Sequence, residues 1–147
     1  MVLEPLYRIR FTTPEAWTVE LAAESGTEAQ SFLVAEGRAS GVVSGRYRGA
    51  NYPRRRTDGT LTPDFRGVLE TDDGATIMFA WHGFGRRGDS AGLQLVGSMT
   101  HLTDDHRYAW LNTGVCAVSG EVQPDAEGSG FDVVLEIANL AWEPLAS

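Results

Sequence analysis

A chain of 147 residues with 42% hydrophobic and 22% charged residues has the size and composition of one globular domain. It contains no run of eighteen apolar residues to span a membrane, and Met1-Val2-Leu3-Glu4-Pro5 lacks the basic and apolar regions of a secretory signal. The net charge of −8, from 20 acidic and 12 basic residues, repels phosphates and anionic lipids and so argues against nucleic acid and membrane surfaces as partners.

Every cation is an arginine, and Arg46, Arg48, Arg54, Arg55 and Arg56 fall close together. Such a cluster is either a local anion site or a solvated strand edge. The single cysteine, Cys116, excludes an intrachain disulfide and fits a reducing, cytoplasmic compartment. In the run Val115-Cys116-Ala117-Val118 it packs as a small hydrophobe, and without a CxxC pair it suggests neither redox nor zinc chemistry.

Glycines and prolines punctuate short segments rich in Val, Phe, Trp, Thr and Leu, which is a strand-and-turn pattern. Leu6–Thr12 alternates and predicts a first strand, with Trp17–Leu21 as its pairing partner. Glu20–Gln30 is the best helical candidate, weakened by Gly26. Ser31–Ala35 is short and apolar, and Ala39–Arg48 carries glycines that suit bends in a curved sheet.

The clearest hairpin runs from Phe65 to Phe84 around Asp72-Asp73-Gly74, where a glycine supplies the positive φ of a bulged turn. Its second arm has Ile77, Phe79 and Trp81 on one face and Met78 and Ala80 on the other, which predicts a strand covered on both sides. Gly92–Leu102 is a further strand, with Leu93, Leu95, Met99 and His101 on one face. A short helical turn is expected near Asp104–Arg107. A last hairpin joins Val115–Val122 to Phe131–Trp142 through a turn at 124–130. The whole chain, 1–147, is therefore expected to be one all-β domain: a small antiparallel β-barrel with an internal ligand cavity.

Gly83-Phe84-Gly85-Arg86-Arg87-Gly88 spells the dinucleotide-binding glycine pattern, but no helix follows it, so it reads as a flexible connection. His82 and His101 sit in mainly apolar strands that could bring them together, whereas His106 looks solvated. Neutral imidazoles can act as general acid or base, and their spacing gives no metal-binding pattern. Arg56 and Asp58 share a face of an extended segment, where they could orient a carbonyl and move a proton. Alternatively, Asp58-Gly59 is a turn that Asp58 caps. Glu70 shares a face with Arg66, and the alternation leaves open whether that face is interior or solvent. Tyr108, Trp110 and Asn112 share a face if extended; they could line a pocket or form a core corner.

Three elements in order, Arg56-x-Asp58-Gly59, Leu69-Glu70-Thr71-Asp72-Asp73-Gly74-Ala75 and Arg107-Tyr108-Ala109-Trp110-Leu111-Asn112, resemble the domain-of-unknown-function 3237 family from about Gly37 onward. The resemblance implies a small β-barrel. Some members look like cofactor-independent enzymes of natural-product pathways that close rings by acid–base chemistry, which implies a lyase-, isomerase- or cyclase-like role here by analogy. The family typically has Asp-Trp where this chain has Asn51-Tyr52, and an amide does not titrate; either His101 supplies the acid or base instead, or the substitution marks a different substrate or no catalysis.

The leading expectation is a cofactor-free, metal-free enzyme that cyclises, hydrates or isomerises an aromatic or conjugated small molecule. Asp58, Arg56, His101 and His82 are its catalytic candidates. Asn51, Tyr52, Arg66, Glu70, Tyr108, Trp110 and Asn112 are its substrate-binding candidates. The alternatives are a non-catalytic small-molecule binding protein and an assembly module that forms a homodimer.

Overall fold

The computed structural model describes residues 1–88, 92–124 and 130–146. Ten strands follow one another: β1 (Val2–Ala23), β2 (Gly26–Gly41), β3 (Gly45–Asn51), β4 (Arg54–Arg55), β5 (Leu61–Thr62), β6 (Asp64–Thr71), β7 (Thr76–Arg87), β8 (Leu93–Leu102), β9 (Cys116–Pro124) and β10 (Phe131–Ala141). A short 3-10 helix, Ala109–Thr113, precedes β9. Antiparallel pairing closes a ring of eight strands in the order β1, β10, β9, β8, β7, β6, β3, β2 and back to β1. The short β4 and β5 make a second bridge from β2 to β7. The fold is the antiparallel barrel that the strand-and-turn pattern predicts. No helix among the described residues is long and apolar enough to cross a membrane.

Alternation sets the two faces of each strand. Ile77, Phe79 and Trp81 of β7 point inward with Ile9, Tyr47, Leu69, Met99 and Leu135, and all are buried. Aromatic stacking joins Tyr47 to Phe79 at 4.9 Å and Phe65 to Trp81 at 5.1 Å. The middle of the barrel is thus filled by side chains, and the expected cavity is not an enclosed chamber. Tight curvature comes from facing glycines. Gly83 lies opposite Gly97, and a Cβ on Gly83 would stand 2.0 Å from the Val96 carbonyl oxygen.

Several expectations change. Leu6–Thr12 and Trp17–Leu21 are stretches of one continuous strand, β1, and do not pair with each other. The helical candidate Glu20–Gln30 is a hairpin: β1 turns at Glu24-Ser25 into β2, with Ala23 opposite Gly26 at φ 125°. Ala39–Arg48 is broken rather than continuous, because Gly41 at φ 137° ends β2 before β3 begins. Gly83–Arg87 is strand, the end of β7, not a flexible connection. The outward face of β7 is not covered, since Met78 is 54% exposed. A hydrogen-bonded turn from Asp105 to Tyr108 stands near the expected place and leads into the 3-10 helix Ala109–Thr113. The Phe65–Phe84 hairpin forms as β6 and β7, with Gly74 at φ 94° in its turn. The tip of the last hairpin, at 125–129, lies outside the described residues.

Candidate functional site

A cleft of about 1040 Å³ occupies one end of the barrel, where β3, β7 and β9 finish and β6, β8 and β10 begin. It exists because β1 and β10 part company: their last pair is Thr12 with Asp132. Past an irregularity between Thr12 and Glu15, β1 runs on beside the mouth as a ribbon with β2, whose other side carries the end of β3 and then β4. Ala16, Thr18 and Glu20 of β1, with Ala29, Ser31 and Leu33 of β2, make one wall. Phe11, Asn51, Phe65, Trp81, Leu95 and Val133 make the floor, and Arg86 and Arg87 line the side formed by β7.

The floor is aromatic and ordered by stacking. Phe65 lies 11° from parallel to Trp81, and Phe11 meets Phe65 edge-on at 5.4 Å. Trp81 Nε1 and Tyr47 Oη are buried without a hydrogen-bond partner. Burial drives the Tyr47 phenol far above its ordinary pKa, partly opposed by the nearby Trp81 indole N–H. That N–H lies beside Tyr47, which does not line the cleft.

The candidates from the sequence divide among four places. Asn51 is in the cleft, 5% exposed, and its Oδ1 accepts the Asp64 amide at 3.0 Å. Asp58 is at the cleft rim in the β4–β5 turn, where its Oδ1 accepts the Thr60 amide at 2.9 Å. Arg56 donates to its other oxygen at 2.7 Å. Those two donors, the guanidinium first, hold the Asp58 carboxyl far below the ordinary range, so it is an ionised and weakly basic group. The capping reading of Asp58 is therefore realised in the geometry.

On the outer wall stand Tyr52, Arg66, Glu70 and His82. Tyr52 packs on Phe32 at 5.1 Å, and Arg66 and Glu70 face solvent, which settles the direction the alternation left open. His82 Nε2 is 3.0 Å from Asp64 Oδ1. His82 and His101 lie on neighbouring strands but on opposite faces, so they do not converge.

His101 faces inward, 4% exposed, near the end away from the cleft. Its Nε2 is 2.6 Å from Tyr7 Oη, and Tyr7 Oη is 3.3 Å from Met99 Sδ. A consistent arrangement has Nε2–H donating to Tyr7 and Tyr7 donating to Met99. The unpartnered Nδ1 is then only a lone pair, the cheaper group to leave alone. Burial pulls the imidazole pKa down to about 4, so it is neutral near pH 7.

Tyr108, Trp110 and Asn112 lie at the far end of the barrel and are not extended. Tyr108 Oη donates to Asp73 Oδ2 at 2.7 Å, and Asn112 clamps Thr103 by accepting its amide at 2.8 Å and donating to its carbonyl at 2.9 Å. Leu111 between them is buried. This segment plugs the end opposite the cleft, so the mouth does not join Asn51–Asp58 to Tyr108–Asn112.

The clustered arginines are distributed over ion pairs with carboxylates. Arg48 meets Glu36 at 3.0 Å, Arg54 meets Glu28 at 3.0 Å and Arg55 meets Glu20 at 3.1 Å. They form a solvated surface rather than one anion site. Among the described residues no three His, Cys, Asp or Glu side chains converge as metal ligands would. The alternation places Thr18 in a strand and Ser31 at the start of another, but neither they nor Glu20 stand out as lining residues, because the expected helix Glu20–Gln30 breaks the ribbon that brings them together. The alternation of Trp17, Val19 and Leu21 was the available signal, since its period of two continues to the turn.

Solved structures share this fold. A β-barrel-like protein from Acinetobacter baumannii AYE is 22% identical with a TM-score of 0.77, over 95% of this chain and 96% of that one. A protein of unknown function from Clostridium acetobutylicum ATCC 824 is 18% identical with a TM-score of 0.80, over 96% and 100%. An enzyme from Penicillium herquei is 22% identical with a TM-score of 0.61, over 92% and 93%. At these identities the likeness is one of fold alone. No curated protein matches the chain. The family model described as protein of unknown function, DUF3237, matches residues 1–140, and the chain belongs to that family.

Proposed function

We propose that this chain binds a small, largely apolar molecule with an aromatic or conjugated portion in the mouth cleft. One observation carries the reading: the stacked aromatic pair Phe65 and Trp81 floors the cleft. A flat, conjugated ligand can lie against that floor. Hydroxyls of Thr13, Thr18, Ser31 and Thr60 around the cleft suit a ligand with further polar groups.

Proton-transfer chemistry in the same cleft, giving cyclisation, hydration or isomerisation, is the second reading. Asp58 favours it, as an ionised carboxylate at the rim. An enzyme shares the fold, although a fold hosts many functions. The buried Tyr7–His101 pair stands away from the cleft and takes no part in this reading.

Titration with the apolar fluorophore anilinonaphthalene sulfonate tests the site. Saturable binding by the native chain, lost in Ser31→Trp, which fills the cleft, is the expected result. Equal binding by both proteins would place the site elsewhere. In the same series Asp58→Asn keeps the fluorophore; if proton transfer occurs there, the variant loses turnover of a bound conjugated hydroxy compound. Unchanged turnover removes Asp58 from the chemistry.

A further inference from the structure

We infer that the free edge of the β1–β2 ribbon is an interface on which a second copy of this chain docks strand to strand. β10 pairs with β1 only as far as Thr12. From Glu15 to Ala23, β1 is bonded to β2 on one side and, among the described residues, to no strand on the other. That edge is about 26 Å long at the usual rise per residue. Its outward N–H and C=O groups form a template for another strand. Proline, lysine and bulges blunt such edges; Pro14 and the irregularity before Glu15 mark where this one begins, and Glu15–Ala23 itself contains neither proline nor lysine.

The side chains point the same way. In a ribbon exposed on its outer face, the polar residues are expected outside. Here Thr18 and Glu20 face the cleft, while Trp17, Val19 and Leu21 face out and are 57%, 68% and 68% exposed. Trp17 packs on Phe32 of β2 at 5.6 Å, which widens the apolar strip.

The occupant is a second copy because the edge is self-complementary. An antiparallel pairing about a two-fold axis at Val19 sets Glu15 against Ala23, Trp17 against Leu21, Thr18 against Glu20 and Val19 against itself. No two carboxylates then face each other, and the apolar pairs share the outward face. Moving the axis one residue to Glu20 would set that carboxylate against its own copy. Because Thr18 and Glu20 belong to the same strand, docking also stiffens one wall of the cleft.

Light scattering on the purified chain, combined with single-cysteine cross-linking, tests this. The native chain is expected to be a dimer at micromolar concentration, and Val19→Lys, at an exposed position, a monomer with an unchanged circular dichroism spectrum. Val19→Cys brings its Cα within about 5 Å of its own copy, inside disulfide range, whereas Trp17→Cys stands roughly 13 Å away. The native Cys116 is buried and leaves little background. Mild oxidation should therefore cross-link Val19→Cys and not Trp17→Cys. A monomeric native chain, a dimeric Val19→Lys variant, or equal cross-linking of the two cysteine variants overturns the proposal.

Discussion

At the scale of single residues, burial decides more than residue type. His101 and His82 are the same side chain two strands' faces apart, yet one is neutral and packed against Tyr7 while the other sits in solvent beside Asp64. The folded His101 pKa, near 4, lies below the ordinary 6.5 because burial disfavours the charged ring. The unfolded chain therefore takes up a proton first as pH falls. Stability from this group is intact above pH 6.5 and is lost as pH drops toward 4, by about 3 kcal/mol at most. Urea unfolding at a series of pH values should show this slope in the native chain and a shallower one in His101→Phe. Parallel slopes would mean that His101 is not buried neutral.

At the scale of elements, the two ends of the barrel do different work. The far end is closed by the 3-10 helix, with Asn112 supplying the backbone partners that Thr103 lacks. Asn112→Ala should cost about 1–2 kcal/mol in urea unfolding while leaving fluorophore affinity unchanged. A loss of affinity at full stability would return this segment to the binding site. Its sequence was legible as a motif but not as a plug, because two aromatics and an amide suit either a pocket or a corner. The ribbon was misread for a related reason. Glu20–Gln30 contains good helix formers, yet it folds back on itself as a hairpin, with Glu20 opposite Ala29 and Ala23 opposite Gly26. The turn between β6 and β7 is legible because Gly74 marks it locally, whereas the far end of β7, Gly83–Arg87, is not.

At the scale of the whole molecule, the all-β barrel was legible from alternation and turn spacing, while the location of its cleft was not. The cleft depends on where β1 separates from β10, and Pro14, inside the irregularity between Thr12 and Glu15, is the one local sign of it. It also depends on Trp81, which as a sequence letter is one more core aromatic and is set at the cleft floor only by the fold. The Trp81 indole nitrogen offers the most direct test of ligand binding in the mouth. The chain has four tryptophans, and Trp17, Trp110 and Trp142 are exposed. In a nitrogen–proton correlation spectrum recorded with saturating anilinonaphthalene sulfonate, the Trp81 indole signal should move most, with the Trp110 signal at the plugged end unmoved. A stationary Trp81 signal at saturation would contradict the account.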